Sequence, residues 1–456
     1  MKKGSIFTIF FLIGAILVTM FGTTSCGNQK SPQTVPEAEN QTQTNPEKTD
    51  AGKTDDSKIL SSETEHEADN ITNALALPAT DYVSAEEMEL ADYWKGSKED
   101  ALAKVMKKAA QGEPVTIAVI GGSITQGTIS KGAQDQEISE KKCYADLFFS
   151  WWTATFPDTE FTFVNAGIGA TDSYLGVHRV KEEVLFTDPD LVLVEFAVND
   201  SNTQFYKKSY DNLIRTILKS ENAPAVLLLF MAQANIESAQ ENQSIIGFSY
   251  SLPMVSYRNV IKEMTETGKY SEKDLSGDTV HPSALGHAIT GEILWKYLNS
   301  VYQNIDNYTE PEDFTKDAVT KECYTNARIL DSEKITPDEA VGFEESSVFQ
   351  AFPHGWSCED ENGEIRFTAS FANLGILYYC QTDGEGGQYE VYVDGESTAV
   401  LDADFKGGWG NYAKTQECYT SEQAAEHEVI IKRKEDSTGN AFTLLGLLLS
   451  DGKEED

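Results

Sequence analysis

Residues 115–127 read VTIAVIGGSITQG: five aliphatic positions interrupted only by Thr116, then two glycines, a serine and a further glycine. A continuous apolar run of this length has no polar face, so it predicts a strand buried on both sides, the kind found in parallel sheets covered by helices. The same texture returns at Phe161–Val164, Leu191–Phe196 and Val226–Phe230. Between and after these runs, helical periodicity is predicted around residues 144–154, 174–184, 210–218, 255–266 and 284–298, and a helix after Ser97 ends at Gly112. Strands alternating with helices predict a three-layer α/β/α domain with a mainly parallel sheet. In such sheets the functional crevice lies beyond the carboxyl ends of the strands.

The residues at those ends carry the chemistry. Strand one runs into Gly121-Gly122-Ser123, strand two into Asn165-Ala166-Gly167-Ile168-Gly169-Ala170-Thr171, and strand three into Ala197-Val198-Asn199-Asp200; Gly277-Asp278-Thr279-Val280-His281-Pro282 precedes the last helix. The first loop is not a P-loop, because Thr128 follows Gly127 where lysine is required. Nor is it the G-x-S-x-G elbow, because Thr125 replaces the second glycine.

A serine hydroxyl is a weak nucleophile at neutral pH and needs an adjacent base, a part suited to the neutral imidazole of His281. Asp278, three residues earlier, is placed to orient that ring and stabilise the imidazolium. Taken singly, each residue also has a plainer role: Asn199-Asp200 as a helix cap, Asp278 with Pro282 as turn chemistry, His281 or His287 as structural histidines. The sequence gives Arg179 and Glu195 no part beyond support or substrate contact.

Together and in this order, over roughly residues 90 to 300, the four segments resemble the SGNH (GDSL-like) hydrolase family, with its Ser block, Asn-x-Gly block, Asn-Asp block and closing Asp-x-x-His block. The resemblance implies a flavodoxin-like serine esterase fold and a catalytic set of Ser123, His281 and Asp278. It also implies an oxyanion hole from the Ser123 N–H, a backbone N–H of Gly169 or Ala170, and the Asn199 amide, with no metal or other cofactor. The chain departs from the family's pattern at Gly122, where aspartate is usual, at Val198 and Ala170, where glycine is frequent.

Outside this region, Lys2 and Lys3 precede an apolar run from Ile6 to Phe21, then small residues and Cys26. Sixteen residues span about 24 Å as a helix, short of the roughly 30 Å hydrocarbon core, which favours a secretory signal over a membrane span. Thr23-Thr24-Ser25-Cys26 resembles a lipobox, so residues 1–26 are expected to be a lipoprotein-type signal peptide with Cys26 lipidated, anchoring the enzyme outside the bacterial cytoplasmic membrane. Thr23 stands where that pattern usually has leucine, and the alternatives are plain secretion after ordinary cleavage and retention as a signal anchor. Residues 27–80 have no aromatic residue and few apolar ones, so they are expected to be a disordered tether.

Residues 81–305 are assigned to the hydrolase domain. From 310 to 456 short alternating strands and turns predict an all-β, jelly-roll-like sandwich. There Trp356, Trp409 and Tyr412 are candidates either for sandwich core or for stacking on sugar rings. If the domain only binds glycan, removing it should spare small-ester hydrolysis. Four of the five cysteines after Cys26 fall beyond residue 320, which allows one or two disulfides there and offers no zinc-finger spacing.

The 74 acidic against 36 basic side chains, a formal charge of −38, exclude nucleic acid as a partner. The expected substrate is an acylated polysaccharide, with O-deacetylation the favoured reaction. A lysophospholipase or thioesterase, and a non-catalytic glycan-binding protein, are the alternatives. With a histidine base, activity should fall as the imidazole protonates.

Overall fold

The computed structural model describes residues 81–135 and 142–452. The expected signal segment 1–26 with Cys26 and the expected tether 27–80 lie outside the described residues.

Five strands, β1 (Val115–Gly121), β2 (Phe161–Gly167), β3 (Leu191–Glu195), β4 (Ala225–Phe230) and β5 (Met254–Ser256), form a sheet of order β2-β1-β3-β4-β5, parallel at every pairing. This is the flavodoxin-like order, and its switch point falls between β1 and β3, whose following loops carry Ser123 and Asn199. Alternate strand residues feed opposite layers. Ile117, Val119, Leu193, Leu227 and Leu229 pack on α2 (Asp100–Ala110), α4 (Tyr144–Thr155), α8 (Tyr257–Glu266) and α10 (Ala284–Gln303), whereas Ala118, Ile120, Val192, Val194 and Leu228 pack on α5 (Ser173–Glu183), α6 (Gln204–Leu218) and α7 (Gln240–Tyr250). Burial on both faces is why these strands read as unbroken apolar runs. The remaining helices are short: α1 (Ala85–Ala91), α3 (Ser123–Gln126) and α9 (Glu272–Leu275).

The β-rich region contains β6 (Arg328–Leu330), β7 (Glu339–Val341), β8 (Phe343–Ser346), β9 (Gly355–Cys358), β10 (Glu364–Cys380), β11 (Gln388–Val393), β12 (Glu396–Asp402), β13 (Tyr412–Arg433) and β14 (Phe442–Ser450). They hydrogen-bond into one continuous antiparallel sheet of order β12-β11-β13-β10-β14-β9-β8, with β6 on β14 and β7 on β10. Register slips between β10 and β13 at Phe371/Asn373 and Leu374/Gly375 are bulges, which bend long strands and increase their twist.

The first half of β10 alternates, with Ile365 and Phe367 inside; the stretch from Phe371 to Tyr378 is buried on both faces. One face joins the β-core through Leu374, Ile376 and Tyr378. The other brings Leu377, with Ala413, Leu445 and Leu448, into the same apolar cluster as Tyr174, Leu175 and Val177 of α5 and Leu213 of α6. The connecting segment is pinned along α6: Arg215 donates to the Lys316 carbonyl, Thr320 to Asp211, and Asn212 accepts from Cys323 and Tyr324. The β-region therefore completes the outer layer of the α/β half, and its removal would expose that layer to water.

The disulfides that the cysteine spacing allows do not form among the described residues. Cys143, Cys323, Cys358, Cys380 and Cys418 are all free and buried. Burial pushes the Cys143 and Cys418 thiols up to about 12 and those of Cys323 and Cys380 to about 11, so they behave as small apolar groups. Trp356 is core, 2% exposed, whereas Trp409 is 63% exposed.

Candidate active site

Ser123 opens α3 immediately after β1, with Gly122 as its cap. A Cβ on Gly122 would collide with Asn199 Oδ1, and one on Gly121 with Thr125 Oγ1 and the Glu195 carbonyl. With the Asn199 side chain where it stands, any side chain at 122 would have to displace it.

Ser123 Oγ lies 2.9 Å from His281 Nε2, and His281 Nδ1 lies 2.8 Å from Asp278 Oδ2. The other carboxylate oxygen of Asp278 accepts the His281 N–H at 2.8 Å and the Val280 N–H at 3.0 Å. Partial burial raises the Asp278 proton affinity, but the His281 ring and these N–H groups outweigh it, and the net direction is downward. The loop turns through Thr279 at φ +73°, a left-handed conformation that is strained for a β-branched residue. Its carbonyl accepts from Ala234 N at 2.9 Å. Ser130, which the sequence reading passed over, braces the same loop: its hydroxyl donates to the His281 carbonyl at 2.6 Å and accepts from Gly277 N at 2.8 Å.

Gly169 stands beside the nucleophile, where a Cβ would lie 3.8 Å from that of Ser123; Ala170 follows in the left-handed region at φ +59°. The N–H groups of Ser123, Gly169 and Ala170 donate to no other described atom. Asn199 turns Oδ1 inward, buried without a hydrogen-bond partner among the described residues, and its Nδ2 is uncommitted. The arrangement thus offers a hydroxyl paired with an imidazole, a carboxylate behind the ring, and unspent donors beside the hydroxyl. Such a set can transfer an acyl group.

His287 is held elsewhere. Its Nδ1 accepts from Tyr144 N at 3.1 Å, so Nε2 carries the proton and donates to the Thr128 carbonyl at 3.1 Å; burial lowers it to about 4. Asp200 ties the Asn199 loop to the start of α5 by accepting from Ser173 N and to α7 by accepting from Gln243 Nε2, each at 2.9 Å. Burial, and then the nearby Asp172, raise its proton affinity. Glu195 is fully buried and accepts from Thr125 Oγ1 at 3.2 Å. Desolvation pushes it up to about 7.

Next to Ala170 and Asn199 opens a cavity of about 240 Å³ whose near wall includes Asp172 and Tyr206 and whose far wall is Tyr412 and Lys414 of β13. Tyr412 belongs to an aromatic cluster with Phe405 and Trp409, ring centroids 4.7 to 5.0 Å apart.

No protein-family model matches the chain, and no curated protein sequence does. Among solved structures it is similar to a two-domain esterase active on acetylated mannans, at 28% identity and a TM-score of 0.71 over 81% of this chain and 99% of that one. A two-domain esterase active on acetylated mannans co-crystallised with mannopentaose aligns at 28% identity and a TM-score of 0.70, over 79% of this chain and 97% of that one. The likeness spans both the parallel sheet and the β-rich region, with the catalytic-type residues gathered at the sheet's carboxyl edge. This chain is a carboxylic ester hydrolase with an appended C-terminal β-domain, similar in fold to the SGNH-type esterases.

Proposed function

We propose that the protein removes O-acetyl groups from a polysaccharide through an acyl-enzyme on Ser123. The observation that carries the mechanism is the unbroken hydrogen-bonded line from Ser123 through His281 to Asp278, beside N–H groups with no acceptor among the described residues. His281 Nε2 takes the Ser123 proton as Oγ attacks the ester carbonyl, and Asp278 stabilises the imidazolium. The developing oxyanion is received by the N–H groups of Ser123 and of Gly169 or Ala170 and by Asn199 Nδ2. His281 gives the proton to the sugar oxygen as its bond to the acyl carbon breaks, releasing the sugar hydroxyl; water, deprotonated by His281, then attacks the acyl carbon, and Ser123 Oγ leaves with that proton as acetate is released.

The carbohydrate reading rests on the similar mannan-active esterase and on the exposed ring of Trp409, next to the Tyr412 wall of the cavity. Aromatic faces suit the apolar faces of sugar rings. We further propose that Cys26 is lipidated and residues 27–80 tether the enzyme outside the cytoplasmic membrane, where polymeric glycan is met.

The test is acetate release from acetylated mannan and acetylated xylan, with p-nitrophenyl acetate and a long-chain p-nitrophenyl ester in parallel, by the native protein and a folded Ser123→Ala variant. The expected result is a loss on the order of 10³-fold or more in the variant and preference for an acetylated glycan. Faster turnover of the long acyl ester would favour a lipid hydrolase, and equal activity of the variant would remove Ser123 as nucleophile.

A further inference from the structure

Arg179 of α5 is 1% exposed, in a layer where an aliphatic side chain would fill the same space without the cost of burying a charge. Its hydrogen bonds account for its presence. One terminal nitrogen donates to the Ala166 carbonyl at 2.7 Å, the other to the Gly121 carbonyl at 2.9 Å, the latter also reaching Thr171 Oγ1 at 3.5 Å. Glu183, one turn further along α5, pairs with its charge, and Phe196 lies 6.0 Å from the guanidinium carbon.

Those acceptors lie at the carboxyl ends of β1 and β2. Gly121 is two residues before Ser123; Ala166 is three before Gly169; Thr171 directly follows Ala170. One planar fork therefore spans both loops that hold the uncommitted N–H groups. The Gly121 carbonyl takes a further bond from Ile168 N at 3.1 Å, so the two loops meet at a single oxygen. A guanidinium suits this task because its donors are fixed in one plane, whereas an ammonium is a point donor on a flexible stem.

We infer that Arg179 is a positioning residue, holding the backbone N–H groups of Gly169 and Ala170 in register with Ser123 so that the oxyanion meets donors already aligned. It acts through the two loops and touches no substrate. The inference rests on the Ser123 mechanism proposed above.

The test compares full-length native protein with Arg179→Lys, Arg179→Gln and the milder, near-isosteric Thr171→Val. Three quantities are read: kcat and KM on p-nitrophenyl acetate, the thermal transition, and reversible inhibition by phenylboronic acid, which forms a tetrahedral adduct with an activated serine. The expected kcat loss is on the order of 10²-fold for either Arg179 variant and about tenfold for Thr171→Val. KM should stay within about threefold, and boronate affinity should weaken in parallel with kcat. Native kcat and boronate affinity in a folded Arg179→Lys protein would overturn the inference, as would losses in all three variants that merely track the unfolded fraction. Full activity of Ser123→Ala in the same assay would instead remove the mechanism on which the inference stands.

Discussion

Asn199 Oδ1 occupies the space where any Cβ on residue 122 would have to stand. The residue before the nucleophile and the proposed oxyanion amide are thereby matched as a pair, and the family's usual aspartate at 122 is incompatible with this placement of Asn199. Gly122→Ala should displace the Asn199 amide and lower kcat on p-nitrophenyl acetate on the order of 10²-fold, and Gly122→Asp should do so at least as strongly. Steady-state kinetics on variants with a retained thermal transition checks this; a fully active Gly122→Asp enzyme would refute the steric account.

Glu195 predicts a pH-dependent stability. Its folded-state value of about 7 stands above its ordinary 4.5 because burial penalises the carboxylate. The folded protein therefore holds a proton that the unfolded chain has released. The associated stability is fully present below pH 4.5 and is lost as pH rises through 7. A Glu195→Gln variant, which does not titrate, should gain on the native protein across this window by about 3 kcal/mol. Denaturant midpoints at pH 4.5 and 8 read it directly, and a pH-independent difference would contradict the burial argument.

Trp409 is the surface test of the glycan reading. With most of its ring exposed, Trp409→Ala should leave the thermal transition and p-nitrophenyl acetate turnover unchanged while raising KM for an acetylated mannan about five- to tenfold, the scale of one aromatic contact. An unchanged KM on polymer would take the ring out of substrate binding.

Truncation after residue 310 should yield an aggregating or poorly folded protein. It strips Leu377, Ala413, Leu445 and Leu448 from the cluster they share with α5 and α6 and leaves a contiguous apolar face open to water. Soluble expression with a cooperative melt and native small-ester activity would contradict this.

Much of the α/β half was legible because burial on both faces leaves a plain mark. The apolar runs at 115, 161, 191 and 226 begin within a residue of the observed strands. β5 was missed because three residues, Met254–Ser256, carry no period, and the reading absorbed part of them into α8. The start of α6 was missed because Gln204 to Ser209 present few apolar side chains. α7 has weak amphipathic patterning, and Gly247 near its end is needed where Met254 packs against it.

The local sequence determined which residue types meet at the strand ends: a serine after two glycines, an Asn-Asp pair, and an aspartate three residues before a histidine, a spacing one turn can close. Only the tertiary structure decided the rest, because it depends on chain segments far apart in sequence. Ser130 braces a loop 151 residues away, Arg179 joins two strand ends, and Asn199 dictates what residue 122 can be. The β-domain supplies one wall of a cavity beside Ala170 and Asn199 and one layer of its neighbour's core. A buried polar group must satisfy its hydrogen bonds with whatever the fold brings near, and one-dimensional patterning carries no record of that neighbour.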